Sequence, residues 1–139
     1  MEKTLIDTWG LIAFINEKEP KHREVSRLIV SLLKEKKAVI TGDIFNEYTT
    51  GLFRRIPEPQ EFLIKLTRSI YLSEIKMIVV NEKIIERACQ LRLKYRDHPQ
   101  ISFTDFTSMA VLQLENMTQV ISGDKHFALV NLGFNVLPG

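Results

Sequence analysis

The chain has 139 residues, of which 45% are hydrophobic and 26% charged, with a formal net charge of +2 and one cysteine, Cys89. That length buries one substantial core rather than two, so a single domain over residues 1–139 is expected, and no apolar run nears the roughly 20 residues that span a bilayer. One cysteine excludes an intramolecular disulfide and a thiolate metal cluster, and the acid reached by Asp7 leaves no apolar region for a signal peptide, so a cytoplasmic protein is expected.

In chain order, Lys3 to Asp7 reads as a buried strand, and Val25, Leu28, Ile29, Leu32 and Leu33 then repeat at helical spacing. Ala38 to Thr41 predicts a second strand, followed by a helix that carries Glu47 and that Asp43 is placed to cap. Pro57-Glu58-Pro59 separates that helix from the next, whose stripe is Phe62, Leu66 and Ile70. Ile75 to Val80 predicts a third strand, and Ile84, Ala88, Leu91 and Tyr95 another helix, within which Cys89 reads as a small buried hydrophobe. Asp97-His98-Pro99 ends that helix. Phe103 to Leu114 is apolar on most sides and predicts a central helix covered by others, before strands at Thr118 to Ser122 and Asn135 to Leu137.

Strands joined by helices argue for a central, mainly parallel sheet of about five strands in a three-layer α/β/α domain, since parallel neighbours need crossover connections. Four carboxylates, Asp7, Glu47, Asp105 and Asp124, each follow a hydrophobic run where a helix begins. Parallel strands share one carboxyl-end rim, where open α/β sheets place ligands, so the four acids predict one site. Each has a plainer reading: Asp7, Asp105 and Asp124 can cap helices, Ser102-x-x-Asp105 has the form of a capping box, and Glu47 can be a solvated helix residue. Their joint placement favours a site. Carboxylates crowded at one rim repel one another unless a cation neutralises them, and oxygen donors suit Mg²⁺, with Mn²⁺ also possible.

These residues resemble a family, the PIN-domain ribonucleases, and in particular the VapC-like toxins of toxin-antitoxin systems. Leu5-Ile6-Asp7-Thr8 is similar to its first strand and Asp, and Asn46-Glu47-Tyr48-Thr49-Thr50-Gly51-Leu52 to its Glu-bearing helix. Ser102-Phe103-Thr104-Asp105-Phe106-Thr107-Ser108, then Val120-Ile121-Ser122-Gly123-Asp124-Lys125-His126-Phe127, resemble its later acidic motifs, and Gly133-Phe134 with Val136-Leu137-Pro138 its last strand. The resemblance implies a PIN-like fold and a metal-dependent endoribonuclease that hydrolyses RNA with activated water. It implies Asp7, Asp105 and Asp124 as metal ligands, Glu47 as the fourth catalytic acid, and Thr8 and Ser122 as hydrogen-bonding supports. It further implies an RNA substrate, a cognate antitoxin and a homodimer. Trp9 and Gly123 depart from the family's pattern.

Lys125 and His126 follow Asp124 and can reach a phosphate, although both also fit an exposed first helical turn; His22 and His98 receive no catalytic role. Lys34, Lys36, Lys37, Arg54, Arg55, Arg87, Arg92, Lys94 and Arg96 are available for a phosphate backbone, Arg54 and Arg55 also for an antitoxin. One competing reading is a catalytically weak PIN-like module that binds RNA or protein through these cations. Another is a receiver-type phosphoacceptor, which ranks below both because Asp7 has no adjacent acid and the third strand runs into Asn81.

Overall fold

Strand β1 (Thr4–Ile6) is the middle of a five-stranded sheet in the computed structural model, which describes residues 1–139. Thr4, Leu5 and Ile6 have no exposed surface, as expected of a strand with neighbours on both edges and helices on both faces. It pairs in parallel with β2 (Ala38–Thr41) on one side and β4 (Gln119–Ile121) on the other. The outer strands β3 (Ile75–Ile78) and β5 (Asn135–Leu137) extend the sheet in the order β3-β2-β1-β4-β5, with every pairing parallel. All five strands predicted from the apolar runs are present. The third is shorter than its apolar run: it pairs with β2 only as far as Thr41↔Ile78, where β2 turns into a helix, so Val79 and Val80 have no ladder to join and Val79 is exposed.

The helices α1 (Thr8–Ile15), α2 (His22–Glu35), α3 (Gly42–Arg55) and α4 (Gln60–Tyr71) lie in the connections β1 to β2 and β2 to β3. The helices α5 (Glu82–Lys94), α6 (Phe103–Leu114) and α7 (His126–Leu129) lie in the returning connections to β4 and β5. Right-handed crossovers that travel one way and then back place these two sets on opposite faces; α1 packs with α2 and α3, and α5 with α6, while α3 and α6 also touch. This is the three-layer arrangement expected from the strand and helix alternation. The residues of α6 from Phe106 to Leu112 are all buried, so it is the covered central helix.

The chain order corrects two details. Thr41 caps α3, its Oγ1 accepting from the Ile44 amide at 3.1 Å, whereas Asp43 accepts from the buried Thr107 hydroxyl of α6 at 3.1 Å. Asp43 therefore ties together the two helices that carry Glu47 and Asp105. Cys89 is exposed, because the buried stripe of α5 is Ile84, Ala88 and Leu91 and the next residue along from Ala88 turns about 100° away from it.

Candidate metal centre

The direction of chain travel reverses between β1 and β4: β1 leads towards β2, whereas β4 lies on its other side and leads outwards to β5. Loops leaving two such strands part in opposite directions and leave a crevice at their carboxyl ends. Register Ile6↔Ile121 sets Asp7 beside Ser122, and the Asp7 amide donates to the Ile121 carbonyl at 3.1 Å. The first turn of α1 comes down onto the same strands. At Gly10 a Cβ would lie 2.9 Å from the Ile6 and Ile121 side chains, so glycine is what allows the approach.

Asp7 caps α1 and belongs to the acidic pocket at once. Its Oδ1 accepts from the Gly10 amide at 2.9 Å, and only 7% of the residue is exposed. Burial pushes its carboxyl up to about 7; the Ser122 hydroxyl and the Gly10 amide oppose this, and the charges of Asp124 and Asp105 add to it. Ser122, itself buried, accepts from the Asp124 amide at 3.3 Å.

Asp105 stands in the first turn of α6. Ser102 supplies one half of the capping box, its Oγ accepting from the Asp105 amide at 3.1 Å, while the Asp105 carboxylate turns to the His126 ring, with Oδ2 at 2.8 Å from Nδ1. Burial raises the Asp105 carboxyl above its ordinary value, His126 draws it down and Asp124 raises it further. Asp124 Oδ1 accepts from the His126 amide at 2.9 Å, which leaves Oδ2 at 3.7 Å from the same ring nitrogen. Glu47, on the exposed side of α3, accepts from the Thr8 hydroxyl at 2.7 Å.

The structure thus brings Asp7, Glu47, Asp105 and Asp124 to one pocket of about 230 Å³, with Thr8, Trp9, Ser102 and His126 also in its wall. His126, which the sequence allowed as an exposed turn residue, faces inwards against Asp105; Lys125 beside it is exposed. Trp9 and Gly123, the two departures from the family pattern, meet. A Cβ on Gly123 would lie 2.2 Å from the Trp9 indole, so the ring occupies the space that any larger residue there would need. His22 is outside the pocket, its Nδ1 at 2.7 Å from the Ala13 carbonyl.

Thr8 and Glu47 also line a second, shallower groove of about 500 Å³ with Asn46, Thr50, Arg54 and Arg55. Both arginines are exposed. Arg92 is not available to a phosphate as the sequence allowed, because its guanidinium donates to the carbonyls of Ile101, Tyr95 and His98 and lies over the Phe106 ring.

Asp105, Asp124 and His126 offer donor atoms that all lie within 4.8 Å of one another, with the buried Asp7 carboxyl close enough to feel both acids. Three carboxylates and an imidazole fit a divalent cation, whose charge would offset the burial that chiefly raises Asp7 and Asp105 and the repulsion that adds to it. Fold and site together define an α/β/α domain with an acidic pocket at its topological switch point. Residues 4–132 match the PIN domain, and the chain belongs to that family.

No curated protein matches the chain in sequence. Among solved structures it is similar to Mycobacterium tuberculosis VapC20, a toxin that cleaves the sarcin-ricin loop, at 22% identity and a TM-score of 0.78, over 95% of this chain and 96% of that one. A toxin-antitoxin complex from Klebsiella pneumoniae aligns at 20% identity and a TM-score of 0.66, over 95% of each chain. DNA-bound VapBC from Salmonella typhimurium aligns at 17% identity and a TM-score of 0.68, over 98% and 97%. At these identities the likeness is one of fold.

Proposed function

We propose that this protein is a Mg²⁺- or Mn²⁺-dependent endoribonuclease, the toxin of a cytoplasmic toxin-antitoxin pair. The observation that carries the reading is the convergence of four carboxylates from four separate segments on one pocket, with a buried Asp7 held up to about 7. Membership of the PIN-domain family supports hydrolysis of a phosphodiester, and the toxins and toxin-antitoxin complexes of like fold support an antitoxin partner. No helix is long and apolar enough to cross a membrane.

Asp7, Asp105 and Asp124 would hold the cation. When bound, it would supply Lewis acidity and counter-charge for the phosphate. Glu47 is the proton acceptor: Thr8 fixes Oε1, and the residue stands where the acidic pocket meets the arginine groove. Arg54 and Arg55 then take the flanking phosphates, since exposed guanidinium groups pair with phosphate oxygens without first leaving another partner. Ser122 supports Asp7 as Thr8 supports Glu47. A homodimer completes the proposal.

Inducible expression of wild type and Asp105→Asn in a test bacterium, with growth and new RNA 5′-monophosphate ends followed together, tests this reading. The expected result is growth arrest and new ends with wild type alone. RNA binding that survives metal removal and all four acid-to-amide changes, with no new ends, would instead establish the binding module.

A further inference from the structure

We propose that His126 is a nitrogen ligand of the cation site, so that Asp105, Asp124 and His126 form a mixed nitrogen and oxygen face that favours Mn²⁺ over Mg²⁺. The inference rests on the metal-dependent reading above and extends it to a residue outside the four acids.

The spacing of the donors carries it. Ligands at about 2.1 Å from one ion and at right angles to each other stand roughly 3 Å apart, and opposite ligands roughly 4.2 Å apart. His126 Nδ1 lies 2.8 Å from Asp105 Oδ2, a hydrogen-bonding contact slightly shorter than the spacing of adjacent ligands that an inserted cation would replace, and 3.7 Å from Asp124 Oδ2, between the two spacings.

The orientation is built by the backbone. Asp124 Oδ1 is occupied by the His126 amide, so the carboxylate presents its other oxygen towards the imidazole, and one short segment aims two donors at one point. Phe127, 1% exposed and edge-on to Phe134, anchors the turn that carries the ring. Mg²⁺ is small, gives up water reluctantly and keeps to oxygen ligands, whereas Mn²⁺, although the weakest-binding of the divalent transition ions, is larger and accepts an imidazole nitrogen beside carboxylates, so a single nitrogen in the set tilts the balance towards it.

The test is pulsed electron paramagnetic resonance of the full chain loaded with one equivalent of Mn²⁺, with Mn²⁺ and Mg²⁺ affinities measured on the same samples. Wild type should show the nitrogen coupling of a directly bound imidazole. His126→Ala and His126→Gln, with unchanged circular dichroism, should lose that coupling and bind Mn²⁺ at least about tenfold more weakly, while Mg²⁺ affinity changes little. Mn²⁺ that binds in an Asp105-dependent way without any nitrogen coupling in wild type would overturn the assignment of His126 and leave the metal-dependent reading standing. A coupling that survives both His126 variants would overturn it too, because the nitrogen would belong to another side chain. Wild type that binds no Mn²⁺ would overturn both.

Discussion

Arg92 and the acidic pocket are two concentrations of charge on either side of the start of α6, and they are solved in opposite ways. The Arg92 guanidinium donates to the Ile101 carbonyl at 2.6 Å and to the Tyr95 and His98 carbonyls at 2.8 Å each, and its centre lies 4.6 Å from the Phe106 ring centroid. Three of its five N–H donors are used inside the fold, closing the loop between α5 and α6. Asp7, Asp105 and Asp124 have only His126 in ion-pair reach of any of them, and two of the three carboxyls are raised. Charge that the fold satisfies stabilises it, whereas like charge gathered around a single imidazole, with burial raising two of the carboxyls, marks a candidate functional site.

That contrast breaks first at the site. Asp105→Asn should take RNA cleavage below detection, and Glu47→Gln should lower kcat by roughly 10²- to 10⁴-fold, the usual range for a general base. Both are read by single-turnover cleavage of a mapped RNA.

The stability of the chelator-treated protein should move the other way. A carboxyl raised when folded keeps a proton that the unfolded chain has already released. Stability linked to Asp7 is therefore fully present below the ordinary carboxylate pKa, lost as pH rises towards about 7 and flat above it. Asp7→Asn retains an oxygen for the Gly10 amide and removes the charge, so it should abolish that slope and raise stability at pH 8 by up to about 4 kcal/mol. Urea unfolding between pH 4 and 8 measures it, and added Mn²⁺ should remove most of the difference by stabilising wild type alone.

Arg92→Ala should do the reverse, costing about 2 kcal/mol in the same assay at every pH across that range, since it strands part-buried carbonyl partners without touching the acids. The smallest effect concerns the pocket wall. Gly123→Ala should cost about 1–3 kcal/mol by driving a methyl group into the Trp9 ring, and the cost should largely vanish in a Trp9→Ala background, a coupling that a double-mutant cycle reads directly.

The strands and the four acids were legible in the sequence because each rests on a local signal, a Val- and Ile-rich run or a carboxylate at the start of a helix. The capping reading and the site reading of Asp7 proved compatible, since a carboxylate has two oxygens and the Gly10 amide uses one. What was not legible depends on partners far along the chain. Val79 and Val80 look like strand until β2 runs out beside them. The Arg92 side chain looks free until the loop after α5 folds back over it. His126 follows an acid at the start of a four-residue helix, and its direction is set by where α7 sits against α6. Trp9 and Gly123 are 114 positions apart, and each looks anomalous until the other is seen to fill the space beside it. Cys89 is a different case: the 3.6-residue period already separates it from the stripe of Ile84, Ala88 and Leu91.

The central claim is that the carboxylates are gathered for a divalent cation, and calorimetric titration of Mn²⁺ into chelator-treated wild type and Asp105→Asn at pH 7 tests it without a choice of RNA. The account predicts saturable binding to wild type, accompanied by proton release seen as a buffer-dependent enthalpy because Asp7 must ionise, and loss of that binding in Asp105→Asn. Absence of saturable binding to wild type, or equal binding to both proteins, would contradict it.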